Sequence, residues 1–256
     1  MKQAKKQPSK GTRLFQRMFT FVCICVFVYS GIALGAELLG YYQNRKVLAE
    51  AQTMYDRQTA TTEQHEAGKV RSSFDELLNV NQDIVGWVDM KDTMIQYPIV
   101  QAKDNAYYLT RNYLKEGTRA GSIFMDYRND ALEESPNTVL YGHRMKDGSM
   151  FAGLKKYLQK DFFESHRTFH YDTLYKSYEA EIFAVYETTV AFDYIQTDFS
   201  DLGEYAHYLQ DVRKESIYKT DTDVSTDDLI LTLSTCDYVL APKSGRLVVQ
   251  AKLKEV

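Results

Sequence analysis

Residues 229–236 read LILTLSTC and residues 246–254 read RLVVQAKLK. Both alternate with the period of two that marks a strand. In the first, Leu229, Leu231 and Leu233 share one face, and Ile230, Thr232, Ser234 and Cys236 share the other. In the second, Leu247, Val249, Ala251 and Leu253 share one face, and Arg246, Val248 and Gln250 the other. Sequential strands often pair as neighbours. An antiparallel register with Cys236 opposite Arg246 also pairs Leu233 with Val249, Leu231 with Ala251 and Leu229 with Leu253. One register thus joins the apolar faces and sets a guanidinium beside a thiol, and a one-residue slip undoes both. The intervening DYVLAPKSG (237–245) is expected to form a loop at the mouth of the site.

Working back along the chain, further short β-patterned runs are expected at 84–88, 95–100, 122–125, 138–141 and 178–190. Met150, Phe151, Leu154 and Leu158 recur at helical spacing, residues 201–216 suggest a solvent-facing helix, and a short helix is expected at 73–79 with Ser72 or Ser73 as its cap. Many strands at short spacing with helical insertions point to a mainly β fold, a closed barrel or a sandwich.

The N-terminal part is of another kind. Residues 1–17 carry six positive charges (Lys2, Lys5, Lys6, Lys10, Arg13, Arg17) and no acid, and residues 18–36, MFTFVCICVFVYSGIALGA, carry no charge. Nineteen such residues make a helix of about 28 Å, close to the ~30 Å hydrocarbon core of a bilayer. The positive-inside bias assigns 1–17 to the cytoplasm, 18–36 to a single transmembrane segment and the remainder to the outside. Ala33-Leu34-Gly35 also offers a small-x-small cleavage site, but the apolar run exceeds that of a signal peptide; either reading exports the rest of the chain. Residues 37–71 read as a juxtamembrane helix and stalk, and 72–256 as the folded domain. Residues 37–256 hold 25 basic and 35 acidic side chains, a balance unsuited to gripping nucleic-acid phosphates.

Cysteine usage narrows the chemistry. Cys23 and Cys25 lie in the apolar segment, where apolar packing or acylation accounts for them, and Cys236 is the sole thiol beyond it. A lone exported Cys is buried and inert, a handle for another chain, or a nucleophile. A neighbouring Arg favours the thiolate and supplies donors for an oxyanion. An acid/base partner comes from five histidines: His65 in the stalk, His166 and His170 in the charged ESHRTFH, His207 on the presumed polar helix, and His143. His143 alone follows a clean apolar strand, TVLYGH, at the kind of strand end where a scaffold presents side chains.

These residues resemble a known family. Thr232-Leu233-Ser234-Thr235-Cys236 matches the TLxTC signature of sortases, Tyr141-Gly142-His143 resembles the segment carrying the sortase histidine, and Arg246 fits the sortase arginine. NQDIVGWVDMKDT (81–93), YPIVQAKDNAYYL (97–109) and GSIFMDYRND (121–130) resemble class B sortases in particular. The likeness covers about residues 70–256. It implies an eight-stranded sortase β-barrel with N-terminal helices and a helix before the cysteine strand. It implies a membrane-anchored transpeptidase that cuts a C-terminal sorting signal of exported proteins after Thr, with Cys236 as nucleophile, His143 as acid and base and Arg246 on the oxyanion. The acceptor would be an amine of a peptidoglycan precursor or cross-bridge, and no metal or organic cofactor is implied. Asn105, Leu109, Tyr141 and Ser234 would line the peptide groove, and Asp237 is a candidate to orient His143. Neutral and thiolate–imidazolium forms of the Cys–His pair both fit these residues. A pilin-polymerising sortase, an exported papain-like hydrolase and a non-catalytic surface module with a buried thiol stand as alternatives.

Overall fold

The computed structural model describes residues 10–59, 68–236 and 244–256, without the side chains of residues 10, 12, 13, 57–59 and 236. Tail residues 1–9, the stalk residues around His65, and residues 237–243 with Asp237 lie outside the described residues.

The chain divides into two compact units, residues up to Gln43 and Asn44–Val256. Helix α1 runs from Lys10 to Thr59. In the first unit every large apolar side chain from Leu14 to Leu34 is more than half exposed. The stretch Leu14–Asp56 is long and apolar enough to cross a membrane.

In the second unit, α1 from Asn44 onward contributes Ala51 and Tyr55 to a cluster with Phe74, Leu77 and Trp87. The Tyr55 ring stacks on Trp87 with centroids 4.2 Å apart, and its hydroxyl donates to Asp172. Asp172 is also met by Arg71 at 2.7 Å. A 3-10 turn, Ser72–Phe74, leads into α2 (Asp75–Val80); the N-cap positions are Arg71 and Phe74, not the expected Ser72 or Ser73.

The β-patterned segments form eight strands among the described residues: β1 (Ile84–Asp89), β2 (Gln96–Val100), β3 (Ile123–Met125), β4 (Asn137–Tyr141), β5 (Thr168–Thr173), β6 (Ser177–Thr189), β7 (Ile230–Cys236) and β8 (Gly245–Glu255). They close into a barrel in the order β1-β2-β3-β4-β7-β8-β6-β5. Pairs β2/β3 and β4/β7 are parallel, and the others antiparallel. Closure gives each described strand a neighbour on both sides. The interior is filled by one apolar cluster that includes Val88, Ile99, Ile123, Leu140, Leu231, Leu233, Leu247, Val249 and Ala251.

Three further sequence expectations change. The 150–158 patch is a 3-10 helix, Phe151–Leu158, with Phe151, Leu154 and Tyr157 buried. A spacing of three puts those side chains in one line on a 3-10 helix. Helix α3 (Lys160–Ser165) follows it. Helix α4 (Leu202–Glu215) faces solvent on one side only: Tyr205, Tyr208, Leu209 and Val212 are buried, over a cluster with Phe183, Ile230 and Val248 on the outer barrel wall. Strand β5 was not expected in the charged ESHRTFH region. Its Asp172 is a buried partner of Arg71 rather than a solvated acid.

Candidate active site

Barrel register brings Cys236 and Arg246 into one row. Strands β7 and β8 pair Cys236 with Arg246, Leu233 with Val249 and Leu231 with Ala251, and the Leu253 N–H donates to the Leu229 carbonyl at 2.9 Å. This is the register the alternation demanded. On the other side of β7, each β4 residue faces the β7 residue 93 positions later, from Asn137 with Ile230 to Tyr141 with Ser234. The Gly142 N–H continues the ladder to the Ser234 carbonyl at 3.3 Å. Strand β4 ends at Tyr141, two residues before His143. Strand neighbours are about 4.8 Å apart, so the backbones of Cys236 and Arg246 lie side by side.

Local chemistry explains how each is held. A Cβ at Gly142 would come within 2.4 Å of Ile123 Cδ1 and 2.9 Å of the Phe151 ring, so a residue without a side chain lets the chain turn to His143. The His143 carbonyl accepts from the Phe151 N–H at 2.9 Å. The ring Nε2 lies 2.7 Å from the Leu109 carbonyl. A carbonyl can only accept, so Nε2 carries hydrogen there and Nδ1 is the nitrogen left for chemistry. Leu109 sits at the end of the 3-10 turn Tyr107–Leu109, with its side chain exposed. Arg246 opens β8, half-buried, and its Nη1 donates to the Gly245 carbonyl at 2.8 Å.

The other expected groove residues are already engaged. Asn105 Nδ2 donates to Asp126 at 3.1 Å, and its Oδ1 accepts from the Tyr127 N–H at 3.0 Å. The Tyr141 hydroxyl donates to Asp126 at 2.8 Å. Ser234 is buried, and its hydroxyl shares a hydrogen bond with the Tyr194 hydroxyl at 2.8 Å. Asp126, Arg128 and Tyr194 were not singled out from the sequence. The signal was present for two of them, because Asp126 and Arg128 lie in the GSIFMDYRND stretch.

Behind the row, the outer faces of β4, β7 and β8 carry a buried polar network. Thr232 Oγ1 donates to Asn137 at 2.7 Å and accepts from Gln250 Nε2 at 2.8 Å. Gln250 also donates to the Tyr208 hydroxyl of α4 at 2.8 Å, which donates onward to the Tyr194 carbonyl at 2.7 Å. Burial pushes the Tyr186 and Tyr208 hydroxyls up, keeping them neutral donors. Among the described residues, no group of three or more His, Cys, Asp or Glu is placed to hold a metal ion.

Residues 88–254 match the family model of the sortase domain. The chain is 48% identical over 237 residues to the sortase B of Listeria monocytogenes, covering 93% of this chain and 96% of that protein. Its fold aligns with crystal structures of sortase B from B. anthracis (TM-score 0.77, 55% identity, 86% of this chain and 100% of that one). It also aligns with a Staphylococcus aureus sortase B–substrate complex (TM-score 0.78, 36% identity, 84% of this chain and 98% of that one).

Proposed function

Because the chain belongs to the sortase family and is a sortase B-type cysteine transpeptidase, we propose that Cys236 is its nucleophile, His143 its acid and base, and Arg246 its oxyanion donor. The pairing of Cys236 with Arg246, together with a β4/β7 ladder that ends two residues before His143, supports this reading.

The Cys236 thiolate attacks the carbonyl carbon of a Thr in a sorting signal, forming a C–S bond and an oxyanion that Arg246 holds. The C–N bond then breaks, and the departing amine takes a proton from His143. A thioacyl-enzyme remains. An incoming amine attacks it and gives its proton to His143, and the thiolate leaves. Since Nε2 is engaged by Leu109, these proton transfers run through Nδ1. Asn105, Leu109, Tyr141 and Ser234 line or back the peptide groove.

The substrates are exported proteins bearing a C-terminal sorting signal, and the acceptor is a peptidoglycan amine, so that proteins become anchored to the cell wall. Residues 18–36 lie in the bilayer, with residues 1–17 cytoplasmic and the barrel outside. The exposure of large apolar side chains from Leu14 to Leu34 supports this, since contiguous apolar surface of that size seeks lipid. Mass spectrometry of the acyl-enzyme trapped with a library of sorting peptides tests the assignment. A thioester on Cys236 that an added amine discharges to an amide is expected; acylation elsewhere, or discharge to water alone when amine is in excess, would falsify it.

A further inference from the structure

We propose that Asp126 is a positioning residue of the peptide groove, fixing which atoms Asn105 and Tyr141 offer to an extended peptide and tying the segment before α4 to the same point. This rests on the assignment of Asn105 and Tyr141 to the groove.

Asp126 follows β3 directly, and its side chain is 0% exposed. It receives five donors. Oδ1 takes the Arg128 N–H and Nε, both at 2.9 Å. Oδ2 takes Arg128 Nη2 at 2.8 Å, Asn105 Nδ2 at 3.1 Å and the Tyr141 hydroxyl at 2.8 Å. A carboxylate offers about four lone-pair sites, so this one is saturated and has no capacity left for substrate. Burial acts to raise its pKa; the hydrogen bonds from Arg128, then Tyr141 and Asn105, outweigh it and hold the carboxyl below its ordinary value. The group is therefore an anion that only accepts.

The consequence falls on its neighbours. Tyr141 has committed its hydrogen to Asp126, so its oxygen can meet a peptide only as an acceptor. Asn105 has committed its Oδ1 to the Tyr127 N–H and one Nδ2 hydrogen to Asp126. Its second Nδ2 hydrogen remains as a donor. One acceptor and one donor match the N–H and C=O that an extended peptide backbone presents along one edge. Arg128 extends the brace, because Nη2 also donates to the Ile195 carbonyl at 2.9 Å. Ile195 follows Tyr194, the partner of Ser234. The carboxylate thus ties together the turn before Leu109, the strand before His143 and the segment before α4.

The test is Asp126→Asn in the full-length chain, assayed with the library peptide that the unaltered chain turns over fastest. An amide sets its own N–H groups against these donors, so KM is expected to rise about tenfold while kcat changes less than about threefold. Alkylation of Cys236 by iodoacetamide is expected at an unchanged rate. In an Asn105→Ala/Tyr141→Phe background the KM effect of Asp126→Asn is expected to shrink to about twofold or less, since residues acting as one unit are non-additive. Unchanged KM, a loss confined to kcat, or full additivity overturns the proposal while leaving the cysteine chemistry standing. If Asp126→Asn does not fold, Arg128→Lys keeps the charge but loses the fork. KM is then expected to rise about threefold with kcat held, and no rise overturns the proposal. If the unaltered chain turns over no peptide, the functional reading falls and this inference with it.

Discussion

Strand β7 has two faces built on opposite principles. Inward, Leu231 and Leu233 meet Leu247, Val249 and Ala251 in an apolar core. Outward, Thr232 and Ser234 are equally buried but polar, and each is held by a named partner, Asn137 and Gln250 for the first and Tyr194 for the second. The inner face asks only for volume and apolarity, which many side chains satisfy. The outer face asks for donors and acceptors at fixed positions, because an unmet buried polar group costs about 1–3 kcal/mol. The inner face therefore sets whether the barrel is stable, and the outer face sets where the strand end bearing Cys236 comes to rest.

Substitutions can break this division, and the largest effect belongs at the end of the strand. Cys236→Ala is expected to reduce acyl transfer to background while the melting temperature stays within about 2 °C, since it removes one atom at a strand end. Arg246→Ala, one strand over, is expected to cost about a hundredfold or more in kcat/KM through loss of the oxyanion donor. Peptide-transfer kinetics with thermal melts check both; a stable, active Cys236→Ala would break the comparison at once.

On the inner face, Leu233→Ala is expected to cost about 2–5 kcal/mol in urea unfolding, with kcat per folded molecule retained. On the outer face, Thr232→Val conserves shape but strands Asn137 and Gln250. A loss of about 1–3 kcal/mol is expected, smaller than at Leu233. No loss at Thr232→Val would show that the network is dispensable to stability.

The smallest effect concerns pH. Asp126 is held below its ordinary value of 3.8 in the fold. A group with a depressed folded pKa contributes stability that is fully present above the unfolded value and lost as pH falls through the folded one. The acid limb of unfolding, below about pH 4, should therefore be steeper in the unaltered chain than in Asp126→Asn. Equal slopes in chemical unfolding across that range would remove Asp126 from the set of native-state anions.

Much of the fold was legible because β-structure with one apolar face leaves few choices. The alternation in 229–236 and 246–254 admits one register, and that register recurs in the barrel. Strand β5 was illegible because its alternation is short and lies in a charged stretch, and only a long-range partner, Arg71, makes Asp172 a buried residue. Helix α4 was misread because three of its buried-face positions, Tyr205, Tyr208 and Leu209, mix phenols with one aliphatic. Those tyrosines are half of a polar network whose other half lies on distant strands. Asp126 stood in a conspicuous stretch, but its five donors come from three separate segments, and no local pattern announces them.

By itself the sequence determined the apolar N-terminal helix, the strand faces and the pairing of Cys236 with Arg246, because each depends on residues near one another in the chain. The tertiary structure alone decided that β4 lies parallel to β7 and so sets Tyr141 opposite Ser234. That contact spans 93 residues, and nothing local compensates the entropy of closing such a loop. It exists because the whole barrel closes around one core.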